Sequence, residues 1–169
     1  MTPETALCET VEFTAQRFDL YVTQQAADPW MVTGGVLMAQ QAAAIALRAV
    51  GDSIPAQAGA TELLLRAASK DRLPAPFTLP FGMAARRSFD RLVEARNNFM
   101  HPRGMLWHLS QDTLVRGLPV AERAVRHLIL TQPVLDDLVT PAQQTQLKIA
   151  LSDIETGAEF LHSAHEAPQ

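Results

Sequence analysis

Apolar residues spaced three and four apart recur in the long segments of this chain, and that spacing restricts it to one class of secondary structure. Leu147, Ala150, Leu151, Ile154, Ala158 and Leu161 repeat in near-heptad fashion, and Val120, Ala124, Val125, Leu128 and Ile129 form a second stripe. Counted from Phe89, the residues Leu92, Val93, Phe99 and Met100 fall at i+3, i+4, i+10 and i+11. Such positions share one face of a 3.6-residue helix, whereas a strand, with its period of two, would scatter them over both faces. The expected architecture is all-α: five or six helices in a bundle with antiparallel neighbours, residues 1–165 as a single domain and residues 166–169 as a frayed tail.

Local signals set the expected boundaries. Thr2, Pro3 and Glu4 read as N-cap, first-turn proline and early acid, opening a helix that runs to about Ala27. Thr33 can cap a second helix, Gly34 to Val50, closed by Gly51; its Ala-rich run suits close packing. A third helix follows at about Ala60 to Ser69. The three prolines of Asp71 to Phe81 predict an extended loop, whose Leu73, Phe77, Leu79 and Phe81 cover the bundle. Another helix spans Met83 to Met100. The stretch from Pro102 to Gly117 reads as loop with one short turn or strand, with Trp107 as a core or interface anchor. Pro119 to Leu130 and Thr140 onward are the last two helices; Arg123, Arg126 and His127 are expected on a solvated face, and the last stripe packs either within the chain or on a second subunit.

Composition narrows the function classes. A chain of 169 residues, 47% apolar, suits one domain with a real core, and its net charge of −4 argues against a general nucleic-acid coat protein. No run approaches eighteen uninterrupted apolar residues and the start is acidic, so neither a membrane span nor a signal peptide is expected, and the compartment is expected to be cytoplasmic. The single Cys8 excludes an internal disulfide and a Cys-based metal cluster, and reads as a small apolar residue of the first helix. His162 and His165 lack the partners a metal site needs. No metal site or cofactor motif is found: a Gly-rich phosphate loop, a nucleophile elbow and a zinc-ligand pair are all missing from the sequence.

The charge is uneven. Between Ala84 and Arg103 five arginines, 86, 87, 91, 96 and 103, face only Asp90 and Glu94. Arg86, Arg87 and Arg91 suit a solvated helix face. Arg96 is different, because it lies three and four residues from Leu92, Val93, Phe99 and Met100, on the apolar stripe itself. A guanidinium there needs either a carboxylate of its own fold or an anion in a cleft or interface. Asn97 and His101 are four apart on the adjacent edge, with Glu94 three residues before Asn97; Pro102 disfavours helical geometry at His101 and places it at a fraying last turn. Arginine for anionic charge, histidine for proton transfer and an amide to orient them is a working set for phosphodiester chemistry. Glu94, Arg103 and His108 are second-tier candidates; Arg103 and His108 repeat the Arg-to-His spacing but carry Gly104 between them.

The run Arg96-Asn97-Asn98-Phe99-Met100-His101 resembles the Arg-polar-x-x-x-His motif of the HEPN superfamily, small all-helical domains of which many are metal-independent ribonucleases. Helices before the motif, a Pro-rich connection, the motif at a helix end and a helix after it extend the resemblance. It implies a two-fold dimer acting as an endoribonuclease of the toxin–antitoxin or phage-defence kind, giving 2′,3′-cyclic phosphate ends, with RNA as substrate, no cofactor, and an antitoxin or regulatory protein as a further partner. In that setting His101 is the acid or base, Arg96 stabilises the phosphorane, Asn97 orients phosphate or imidazole, and a composite site across the dimer supplies a second histidine. Two rivals remain at this stage. One is a non-catalytic HEPN-like adaptor or regulatory domain binding a protein or nucleotide, with Arg96 paired to Glu62 or Asp90; the other is a helical domain outside that superfamily.

Overall fold

The computed structural model describes residues 1–24, 28–101 and 109–166. Every regular element among them is helical: α1 (Pro3–Gln24), α2 (Pro29–Ala49), α3 (Ala60–Ala67), α4 (Met83–Met100), α5 (Gln111–Val125), which continues as a π-helical segment (Arg126–Thr131), and α6 (Pro141–Glu166).

Helix α2 is the centre of the bundle. Twelve of its residues are buried, because α1, α3, α4 and α5 all pack on it, and one stripe through Leu37, Gln41, Ala44 and Arg48 stays partly open. By length and composition α2 is apolar enough to cross a membrane, yet 67% of its most apolar window lies inside the bundle, as a core helix requires. It starts earlier than the sequence suggests: the cap is Asp28, whose Oδ1 accepts the Trp30 N–H at 2.9 Å, with Pro29 as the first helical residue. Thr33 is therefore inside the helix, its hydroxyl donating to the Pro29 carbonyl. The far end follows expectation, because Gly51 takes φ +77° and the N–H groups of Gly51 and Asp52 return to Arg48 and Leu47 in a Schellman closure.

Glycines set the distance between helices. A Cβ on Gly34 would overlap Thr14 Oγ1 and stand 3.6 Å from the Thr14 backbone, so α1 and α2 touch almost main chain to main chain there. Gly35 performs the same service for Leu118 of α5, which a Cβ there would meet at 2.5 Å, and Gly117 for Leu92 of α4, which a Cβ there would meet at 3.0 Å. Leu92 and Phe89 are fully buried, each stabilising the bundle by roughly 1.5–3 kcal/mol.

Most neighbours are antiparallel. Gly35 faces Leu92 while Trp30 meets Phe99, Arg91 reaches Asp112, and Gln111 donates to the Leu161 carbonyl at 3.3 Å. Two pairs run parallel: α2 with α5, each of which lies antiparallel to α4, and α1 with α6, where Gln143 bonds Thr5, Gln146 bonds Glu12, and Phe18 lies under Gly157. A short connection forces consecutive helices to reverse direction, but neither of these pairs is consecutive and both are free of that constraint. The near-heptad stripe of α6 is buried against α1 and α5 of the same chain, so it leaves no seam for a second subunit.

Two other expectations are corrected. The loop from Asp71 to Phe81 is not extended but folded by turns, with Phe77 N–H on the Pro74 carbonyl and Leu79 N–H on that of Ala67; Leu73 and Leu79 are buried and Phe77 and Phe81 half-buried, covering the bundle as expected. Helix α5 begins at Gln111, not Pro119. Ser110 caps it by accepting the Thr113 N–H, and burial of Leu114, Leu118 and Ala121 offsets the backbone hydrogen bond that Pro119 cannot make. A bond from Gln132 N–H to the His127 carbonyl closes the π-helical segment.

Candidate functional site at the end of α4

Helix α4 has the bounds that its periodicity predicts, Met83–Met100. Its middle is clamped into the core through Phe89 and Leu92, and its last two turns emerge from it. Val93 and Phe99 are half-buried, and Met100 is 47% exposed. Glu94, Asn97, Asn98 and His101 are exposed. His101 is the C-cap, with φ −130° and ψ 68°, and its N–H reaches the Asn97 carbonyl at 2.9 Å. The helix thus holds Asn97 and His101 one turn apart at the surface, as their spacing predicts. No hydrogen bond joins the side chains of Arg96, Asn97 and His101 to one another among the described residues. Arg103, Trp107 and His108 lie outside the described residues.

The arginines of α4 divide by environment. Arg86, Arg87 and Arg91 are exposed; Arg86 pairs with Asp90 at 3.6 Å and Arg91 with Asp112 at 3.3 Å. Such exposed pairs contribute about 0–1 kcal/mol each. Arg96 is half-buried, its Nε is shielded from water without a hydrogen-bond partner, and it makes no ion pair among the described residues. Neither carboxylate considered for it is engaged there. Asp90 takes the Thr61 hydroxyl at 2.8 Å and the Arg86 guanidinium, and it stands six residues before Arg96, about 9 Å along the axis and on another face. Glu62 is exposed. A shielded, unsatisfied donor costs roughly 1–3 kcal/mol. An anion on this guanidinium would supply the missing acceptor.

Trp30 is the residue of this site that the sequence did not single out. Its indole is 49% exposed and meets the Phe99 ring edge-on at 5.4 Å between centroids and 78° between planes. Asp28, itself held by Arg17 at 3.2 Å, fixes the first turn of α2 that carries it. The signal was present in Asp28-Pro29, a cap followed by a first-turn proline, which places Trp30 at a helix start rather than in a loop. Arg96, Phe99 and Trp30 therefore gather at one end of the bundle from helices far apart in sequence.

A separate cleft of about 640 Å³ lies between the start of α4, α5 and α6, and includes neither Arg96 nor His101. Glu122 lines it at 2% exposure, bonded to Arg126, which also reaches Glu155 at 3.4 Å. Burial pushes the Glu122 carboxyl above its ordinary range, against the opposing pull of Arg126. Of the residues expected on a solvated face, Arg123 is exposed, while Arg126 and His127 are half-buried and engaged, His127 Nε2 with the Phe77 carbonyl at 3.2 Å. Cys8 is a buried free thiol whose pKa burial raises, as a packing residue's would be. No group of three or more metal-ligating side chains occurs among the described residues. Comparison of the chain with family models, with curated proteins and with solved structures finds no match in any of the three.

Proposed function

We propose that the end of α4 binds and cleaves RNA, in a metal-independent endoribonuclease of HEPN type that works as a two-fold dimer in a cytoplasmic toxin–antitoxin or phage-defence setting. The observation that carries the reading is Arg96, a half-buried guanidinium whose Nε has no acceptor, five residues before an exposed histidine on the same helix end. One His101 takes the proton of a ribose 2′-hydroxyl as its oxygen attacks the adjacent phosphorus. Charge gathers on the phosphorane oxygens, where Arg96 stabilises it and Asn97 orients the phosphate. The bond from phosphorus to the 5′-oxygen then breaks, that oxygen takes a proton from the His101 of the second copy, and the products are a 2′,3′-cyclic phosphate and a 5′-hydroxyl. Trp30 offers an exposed aromatic face for the neighbouring base, a contact worth roughly 1–3 kcal/mol.

The rival adaptor reading, in which the same helix end holds a nucleotide or protein anion without reaction, draws support from the net charge of −4. Cleavage of a labelled oligoribonucleotide in excess EDTA separates the two. His101→Ala is expected to lose about a hundred- to ten-thousandfold in rate with its melting temperature nearly unchanged. Retention of binding by a wild-type protein that never cuts would replace the enzyme with the adaptor.

A further inference from the structure

The parallel pair α1 and α6 leaves a groove of about 650 Å³ on the face of the bundle away from α2. Its floor is Ala15, Phe18, Ala150 and Gly157; a Cβ on Gly157 would come within 3.0 Å of the Phe18 ring, so the glycine keeps the floor open. On the rim Ile149 and Phe160 are 60% and 57% exposed. They are eleven residues apart on α6, three helical turns or about 16 Å. Two large apolar side chains so exposed, over a recessed apolar floor, form the kind of surface that an amphipathic helix fills.

Charge selects the occupant. Glu12, Asp19 and Asp153 line the groove, and it contains no Lys, Arg or His. None of the three carboxylates makes an ion pair among the described residues, unlike Asp28, Asp52, Asp90, Asp112 and Glu122; Glu12 only accepts from Gln146 at 2.8 Å. A second copy docked here by a two-fold axis would set carboxylates against carboxylates, a like-charge juxtaposition that interfaces avoid. We propose that this groove docks a basic amphipathic helix of a partner protein, with apolar side chains between Ile149 and Phe160 and Lys or Arg opposite Glu12, Asp19 and Asp153. The inference is independent of the chemistry proposed at Arg96.

Fluorescence anisotropy with two labelled peptides of about 18 residues, long enough to hold helix on binding, tests it. One is an amphipathic Leu/Lys peptide and the other has the same apolar spacing with Glu for Lys. The Leu/Lys peptide is expected to bind and the Leu/Glu peptide to fail. Ile149→Ser with Phe160→Ser, which keeps every charge, and Asp19→Asn with Asp153→Asn, which keeps the apolar rim, should each weaken binding about tenfold or more. All four positions are exposed, and unchanged helicity confirms that the variants fold. No Leu/Lys binding, equal binding by the Ile149→Ser/Phe160→Ser variant, or equal binding of the two peptides overturns the proposal. So does self-association of the wild type, seen by light scattering, that this variant abolishes, since the occupant would then be a second copy.

Discussion

Replacing Arg96 by Met distinguishes an anion-binding arginine from a structural one. Methionine keeps an unbranched stem on the stripe that also carries Leu92 and Phe99 but removes the shielded Nε that lacks an acceptor. Relief of a penalty of about 1–3 kcal/mol, less a small packing loss, should raise the unfolding free energy by about 1–2 kcal/mol. In a domain of this size that is a rise of about 2–8 °C in melting temperature. Inorganic phosphate supplies the second half of the test, because a ligand that binds only the folded state stabilises it, by about 2.7 kcal/mol at a hundred times its dissociation constant. The wild type should melt higher as phosphate is added, and Arg96→Met should not respond, both read by calorimetry at fixed ionic strength. A fall corresponding to about 3–5 kcal/mol in the variant would mean a buried carboxylate partner left alone. That result, or an equal phosphate response in both proteins, would refute the assignment of Arg96 to an anion.

Glu122→Gln should change how stability depends on pH. With its pKa raised in the fold, the wild-type carboxyl holds a proton that the unfolded chain releases, so its contribution declines as pH rises from the ordinary value of 4.5 through the raised one and is level beyond. The advantage of the glutamine variant in melting temperature should grow across that interval; a difference independent of pH would rule the carboxyl out as its source. Gly34→Ala should destabilise by about 1–3 kcal/mol through overpacking against Thr14, in spite of the better helix propensity of alanine, and Thr14→Ala in the same chain should restore much of it. Additive costs in denaturant titrations of the single and double variants would show that the two residues do not meet.

Much of this fold was legible because burial follows periodicity. The bounds of α4, the buried stripe of α6 and the glycine closure of α2 were all readable from spacing and cap chemistry. The failures have physical causes. Gly117 and Pro119 are local breakers, and only tertiary contacts with Leu92 and the burial of Leu114 and Leu118 keep α5 helical through them. Thr33 has the chemistry of a cap, but Asp28 with its following proline opens α2 at Pro29, ahead of the expected Gly34. At the site, the half-burial of Arg96 and the exposure of Asn97 and His101 followed from the helix. The engagement of Asp90 elsewhere and the arrival of Trp30 are consequences of packing between distant segments, which no local pattern encodes.

The parallel course of α1 and α6 also makes the bundle a polar object for anyone attaching a probe to it. The last turns of α6 and the start of α5 share the end of the bundle that carries His101, since Gln111 reaches Leu161, while the first turn of α1 lies beside Gln143 at the opposite end. Helix α1 has 22 residues, so the two ends stand about 33 Å apart. A spin label or dye at Thr2 is thus a distant reference point for the Arg96 end, one that a bound ligand does not touch. The same label at Ser163 sits beside it and reports directly on what arrives.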